Sequence, residues 1–327
     1  MIALYIFLEL IGLLLIYICF TSLIYKRSLF ASIVAIYLFF TSKRKRHAIF
    51  KKSFKKYLLN MELEDPYYKI KTKTLVNVKE VYYDNVQTLI FNDTTNIDNI
   101  IIYYHGGAYI SKPLKYHISF IDKLAINTNS TIIFPIYPKT PKHHYNDALN
   151  FAINLYNAII KNTNKNIILM GDSSGGGLAL ILQEHLANNN IKQPNRTILL
   201  SPWVDLKMDN KELRKYERKD PMLSIGPLKE IAKLWANDLP LEDYRISPIN
   251  GNLNKLTNLT LIVGTREFIY PDIILLSNKL KDSKVDHNLY VGHGMNHVFP
   301  VFPIKEAKIV NKYIYALIND IKKTHQI

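Results

Sequence analysis

The stretch Met170-Gly171-Asp172-Ser173-Ser174-Gly175-Gly176-Gly177 decides how this chain is read. It follows a short apolar run at residues 167–170 and leads into a segment with helical spacing. The pattern Gly171-x-Ser173-x-Gly175 therefore sets a serine between two glycines at a strand-to-helix turn. Side chains at either glycine would clash in so tight a turn, and the serine is held in a strained conformation that exposes its hydroxyl. The helix that begins there points its positive end at the same spot. Ser173 is thus the candidate nucleophile, with Ser174 off the motif position. The bland alternative is an ordinary glycine-rich loop between a strand and a helix.

Outward from this turn, apolar runs at residues 75–83, 86–91, 100–104, 131–136, 167–170, 197–200, 259–263 and 288–291 read as eight strands. Asp84-Asn85 marks a hairpin between the first two. Helical spacing at residues 118–127, 145–161, 177–188, 271–281 and 304–322 alternates with most of the later strands. That alternation predicts right-handed βαβ units. The fold class is α/β, with an eight-stranded, mostly parallel sheet flanked by helices over residues 71–327. Residues 203–247 break the rhythm with a charged run at 207–219, the pair Asp220-Pro221 and an amphipathic segment at 227–235. They are expected to form a helical lid over the carboxyl ends of the strands, where ligands of such sheets bind.

A second chemical signal is Tyr103-Tyr104-His105-Gly106-Gly107-Ala108-Tyr109, directly after the third strand. Paired glycines free backbone N–H groups, and Gly106, Gly107 and the residue after the nucleophile, Ser174, are candidate donors to a developing oxyanion. His105 would order the loop rather than act as a base. Asp172 and Asp205 are expected to brace loops.

These motifs, with Tyr137-Pro138-Lys139-Thr140-Pro141, Ser201-Pro202-Trp203-Val204-Asp205-Leu206, Ser247-Pro248 and Gly264-Thr265-Arg266-Glu267 followed by Pro271-Asp272, give the chain a resemblance. It resembles the hormone-sensitive-lipase branch of the α/β-hydrolase superfamily, bacterial esterases and lipases included, over roughly residues 75–320. The resemblance implies the α/β-hydrolase fold and serine ester hydrolysis through an acyl-enzyme, with no metal or organic cofactor required. It implies Ser, acid and His in that chain order, on Ser173, Glu267 and His297. Two departures stand out: Ser174 where the family usually has Ala, and Ala108 where a third glycine is often found.

His297 follows the last strand and precedes the last helix, where a loop can carry an imidazole to Ser173; His293 is its nearest competitor. Glu267 follows the seventh strand, and Asp272 is the alternative acid, more naturally a helix cap after Pro271. The same triad would also serve an amidase or a deacetylase. On the same scaffold without the chemistry, the chain would be a ligand-binding receptor.

Composition bounds the rest. A 327-residue chain with 48% hydrophobic and 21% charged residues folds, which excludes disordered and low-complexity classes. The single cysteine, Cys19, excludes an internal disulfide framework and a thiolate zinc cluster. The net charge of +15 raises nucleic acid as a partner, but ten basic residues and one acid fall within the first 60 positions. That excess sits beside apolar sequence, a pattern that suits anionic lipid head groups better than a nucleic-acid groove. Residues 2–25 are almost wholly apolar apart from Glu9, long enough for one membrane span, and residues 28–42 are too short and are expected to be interfacial, re-entrant or packed on the protein. Residues 1–42 thus read as an anchor and 43–70 as a basic flank and lid segment. The flank, Lys43 to Lys56, predicts a cell-membrane protein with its main domain on the cytoplasmic side. The competing reading makes the apolar stretches lid helices of a soluble protein.

Overall fold

In the computed structural model, which describes residues 2–49, 52–63, 66–94 and 97–323, every apolar run read as a strand enters one sheet. The strands are β1 (Val78–Tyr83), β2 (Val86–Phe91), β3 (Asn99–Tyr104), β4 (Ser130–Pro135), β5 (Asn166–Asp172), β6 (Arg196–Leu200), β7 (Leu259–Gly264) and β8 (His287–Gly292). Their order is β1-β2-β4-β3-β5-β6-β7-β8. Asp84 and Asn85 take positive φ (47° and 61°), closing the antiparallel β1–β2 hairpin. β2 pairs antiparallel with β4, and the remaining pairings are parallel.

The central strands are apolar on both faces, and strand periodicity sorts their residues into two cores. Ile102, Tyr104, Leu169, Leu199 and Val263 face one layer, with α5 (Tyr145–Lys161), α6 (Ser173–Asn188) and α9 (Tyr270–Asp282). Ile101, Tyr103, Met170, Ile198 and Ile262 face the other, with α4 (Lys115–Thr128) and α10 (Lys305–Lys323). Each such side chain, once fully buried, is worth about 1.5–3 kcal/mol. Residues 203–247 carry α7 (Leu213–Glu217) and α8 (Ile225–Ala236). Buried Trp235 of α8 stacks on Tyr109, centroids 4.0 Å apart, and Trp203 lies on the same ring at 5.8 Å.

Two boundaries differ from expectation for physical reasons. β1 begins at Val78 and not at residue 75, because the amides of Leu75 and Val76 donate to the Asp122 carboxylate (2.8–3.1 Å) instead of to a ladder. α6 begins at Ser173 and not at residue 177, the glycines at 175–177 forming its first turns. They are required there: a Cβ on Gly175 would run into the Tyr104 carbonyl at the end of β3, and one on Gly171 into the Gly175 carbonyl.

At the amino end, α1 (Ile2–Ile24), α2 (Leu29–Ile49) and α3 (Lys52–Leu63) follow one another. α2 packs on the protein through Ala31, Ala35 and Leu38, and Ser28 just before it gives its N–H and hydroxyl to the Glu306 carboxylate of α10 (2.5 and 2.9 Å). α1 does the opposite. Over Leu4–Ile24 its mean hydropathy is 2.3, yet only 17% of that span is buried. Of the basic flank, the side chains at 43–55 lie outside the described residues.

Gly175→Ala should lower stability by about 3 kcal/mol, the upper end for overpacking, since the colliding atoms are backbone and cannot rotate away. A urea unfolding midpoint unchanged from that of the parent chain would contradict the close approach of α6 to β3.

Candidate functional site

Where β5 hands over to α6, Ser173 sits at φ +51°, the left-handed strain expected of a side chain presented at a sharp turn. Its carbonyl accepts the Trp203 N–H at 2.8 Å, which pins the turn from β6's side. Its Oγ lies 2.9 Å from His297 Nε2. His297 Nδ1 lies 2.7 Å from Glu267 Oε2. These three side chains, 94 and 30 positions apart along the chain, form one relay. The tautomer follows from the network: Nδ1 carries the proton donated to the carboxylate, leaving Nε2 to accept the Ser173 hydroxyl proton.

Glu267 is fully buried and held on its second oxygen. Oε1 accepts from the Ser201 hydroxyl at 3.0 Å and from the Gly264 N–H. Ser201 Oγ in turn accepts the Val298 N–H at 3.1 Å, tying the acid's support to the loop that bears His297. Burial by itself would lower the His297 pKa, but the hydrogen bond and charge of Glu267, then Asp220 and Asp172, raise it above the ordinary histidine value. Such a group can withdraw a hydroxyl proton and hold the resulting charge beside a fixed carboxylate.

The other predicted residues fall into place differently from one another. Asp272 does not reach His297; its Oδ1 accepts from Asn210 at 2.8 Å, and burial pushes its pKa up to about 7. His293 is exposed at the far end of its loop, with no hydrogen bond to Ser173 or Glu267. His105 is buried, and burial holds its pKa well below the ordinary value, so it is neutral; its carbonyl accepts the Tyr137 hydroxyl at 2.8 Å. Asp172 Oδ1 accepts from Tyr103 Oη and from the Gly106 N–H, both at 2.9 Å.

That last bond corrects the expectation for Gly106. Its amide already donates to the Asp172 carboxylate and is not a free donor. Among the described residues the amides of Gly107 and Ala108 have no protein acceptor, and the Ser174 amide, in the first turn of α6, has no intrahelical one. Ala108 takes φ +54°, the left-handed turn a glycine would have supplied.

Three supporting residues escaped the sequence. His117 Nδ1 accepts the Leu114 N–H (2.8 Å), leaving Nε2 to donate to Asp172 Oδ2 at 3.1 Å. Nothing in its sequence neighbourhood marks it. Asp220 accepts from the amides of Met222, Leu223 and Phe268 at 2.6–3.0 Å, fastening residues 203–247 to the Glu267 loop. Its only signal in the sequence is the pair Asp220-Pro221 within the segment that breaks the strand–helix rhythm. Ser201 lay within a quoted motif but had no assigned role.

Ser173 and His297 open onto a cavity of about 200 Å³ whose apolar wall includes Met222, Leu223, Leu228, Ile231, Val301 and Phe302, with Ser42 and Tyr57 at its rim. A larger groove of about 820 Å³, along Tyr82, Gln87 and Lys142, contains none of the relay. Among the described residues no group of three His, Cys, Asp or Glu side chains is placed to hold a metal ion.

Comparison with known proteins follows the same lines. A family model described as an alpha/beta hydrolase fold matches residues 101–301. An esterase of Acinetobacter venetianus is 32% identical over 202 residues, 60% of this chain and 67% of the relative. The crystal structure of a candidate esterase from Staphylococcus aureus superposes with a TM-score of 0.79 at 32% identity, covering 82% of this chain and 93% of that one. The hormone-sensitive-lipase homologue EstE7 from a metagenome library shares the fold, with a TM-score of 0.75 at 22% identity over 89% and 98% of the two chains.

The raised His297 pKa is open to direct titration. Followed by NMR, its ring should gain a proton at a pH above about 6.5, and Asp220→Asn should move that midpoint to lower pH by removing a facing negative charge. A midpoint that rises or stays put in the variant would refute the electrostatic account.

Proposed function

The chain belongs to the α/β-hydrolase family, and from that premise we propose that it is a serine carboxylic-ester hydrolase, working through an acyl-enzyme on Ser173 and attached to a membrane by α1. The observation that carries the reading is the unbroken relay Ser173–His297–Glu267 beside unspent backbone donors. In the proposed cycle His297 Nε2 takes the Ser173 proton as Oγ attacks the ester carbonyl. Charge gathers on the former carbonyl oxygen, and the amides of Gly107, Ala108 and Ser174 stabilise it, each such donor being worth about 3–4 kcal/mol. His297 then gives its proton to the leaving alcohol, and water activated by the same ring releases the acid. Glu267 keeps the imidazole in the productive tautomer and offsets its positive charge. The apolar cavity wall suits an acyl chain, and α8, with residues 222–224, supports the reading of 203–247 as a lid.

The membrane reading rests on α1. Its 23 residues reach about 34 Å as a helix, against a hydrocarbon core of about 30 Å. Side chains such as Leu13, Ile16 and Leu23 stand 63%, 67% and 79% exposed, a surface that water penalises and lipid does not. A soluble lid helix would bury that face over the site instead. The basic flank in the sequence supports a cytoplasmic orientation of the catalytic unit.

Two measurements test these proposals. Ser173→Ala should lose about 10⁴- to 10⁶-fold of the turnover of a short-chain chromogenic ester and all labelling by a fluorophosphonate probe. Glu267→Gln should lose about 10⁴-fold, while Asp272→Asn stays within about tenfold. Full activity in the Ser173 variant would end the serine mechanism, an unlabelled parent chain would favour a binding role, and cleavage of anilides but not esters would make it an amidase. Separately, the full chain should resist extraction from membranes by alkaline carbonate, and its release would refute the anchor.

A further inference from the structure

At the foot of α1 lies a recess of about 570 Å³ that shares no lining residue with the apolar cavity. It is lined by Lys26, Lys219, Arg266 and His293, by Tyr216 and Tyr270, and by Ile24 at the last turn of the apolar helix. We propose that this recess binds the phosphate of an anionic phospholipid head group. The proposal rests on α1 lying in the membrane and is independent of the ester chemistry.

Charge is the first argument. Among the described residues no carboxylate forms an ion pair with Lys26, Lys219 or Arg266. The positive groups are instead pushed together. The Arg266 guanidinium lies 3.6 Å above the Tyr25 ring, and Arg27 lies 5.2 Å above the same ring, so one aromatic holds two cations. Arg27 spends a hydrogen on the Gly294 carbonyl (3.2 Å) and Arg266 one on the Lys219 carbonyl (3.3 Å). Burial, then the neighbouring Arg266 charge, brings the Arg27 pKa down to about 10, against the opposing pull of the Glu306 carboxylate. An anion in the recess relieves that repulsion.

Position decides which anion. Ile24 and Tyr25 end the apolar helix, so the recess opens at the level where α1 leaves the hydrocarbon and the head groups of that leaflet begin. Tyr216 and Tyr270, stacked with centroids 5.1 Å apart, present aromatic edges at that level, where such rings partition. Lys219 Nζ lies 4.3 Å from the centre of Tyr216, which places a cation beside that ring in the recess lining. A lipid phosphate is delivered here by the anchor itself, its acyl chains lying along α1, whereas a soluble phosphate must be drawn from water. The back wall is preformed: the Arg266 N–H donates to the Met295 carbonyl and the Gly294 N–H to Thr265 Oγ1, both at 2.9 Å.

The test uses the full chain carrying Ser173→Ala, in neutral detergent, so that its outcome stands apart from both turnover and carbonate extraction. Native mass spectrometry would follow titration with short-chain phosphatidylglycerol, with phosphatidylcholine and with inorganic phosphate. One saturable phosphatidylglycerol should bind, at least tenfold more tightly than either comparison. Lys26→Ala with Lys219→Ala should weaken it at least tenfold, Lys26→Arg with Lys219→Arg should retain it, and Lys51→Ala with Lys52→Ala on the flank should leave it in place. Binding that survives the Lys26 and Lys219 alanines, or that is lost with the flank lysines alone, overturns the site. Inorganic phosphate binding as tightly as the lipid overturns the choice of ligand.

Discussion

The near-contact of Gly175 with the backbone at the end of β3 is the constraint on which the rest of the molecule depends. It lets α6 start directly at Ser173, and so leaves that residue at a positive φ with its hydroxyl clear of the sheet. A side chain at residue 175 would push α6 off β3 and relax the turn, and the orientation of Ser173 towards the β8–α10 loop would go with it. The cost of the strained residue is met elsewhere, by the Trp203 hydrogen bond and by the buried layers on both faces of β5.

Around that turn the fold places charge where it can be held. Asp172, one position before Ser173, is buried, yet its pKa lies below the ordinary carboxylate value. Burial works against it, but the interaction with His117 and the bonds from Gly106 and Tyr103 outweigh that penalty. An unsupported carboxylate there would take up a proton and let go of the glycine loop. Glu267 and Asp220, on the other side of the relay, also accept backbone amides, from Gly264 and from Met222, Leu223 and Phe268, but in both burial outweighs those bonds and raises the pKa. The proposed chemistry therefore draws on loops from five strand ends, held together by buried carboxylates rather than by sequence proximity. That arrangement keeps the imidazole and hydroxyl at hydrogen-bonding distance without a bound ligand.

The amino-terminal helices divide their work by surface. α2 buries small residues against the sheet layer and is tied to α10 through Ser28 and Glu306, so it belongs to the packed body. α1 is apolar all round and gives almost none of that surface to the protein. The recess at its foot gathers cations from three separate loops, which suits a boundary between lipid and protein better than it suits a folded interior.

How much of this was legible beforehand depended on range. Period-two and helical patterns, Asp84-Asn85 and the Gly-x-Ser-x-Gly turn are local, and local sterics set strand, helix and hairpin without reference to the rest of the chain. The sequence by itself therefore determined the α/β architecture, the apolar span of α1, the serine at the turn and the candidate acids and histidines after β7 and β8. Only the tertiary structure decided that Glu267 and not Asp272 meets His297, and that Asp172 takes the Gly106 amide while the Ala108 amide keeps no protein acceptor. It alone placed His117, Asp220 and Ser201 as supports. Those outcomes turn on hydrogen bonds between groups tens of residues apart, whose lengths are fixed by how the layers pack and not by any pattern along the chain.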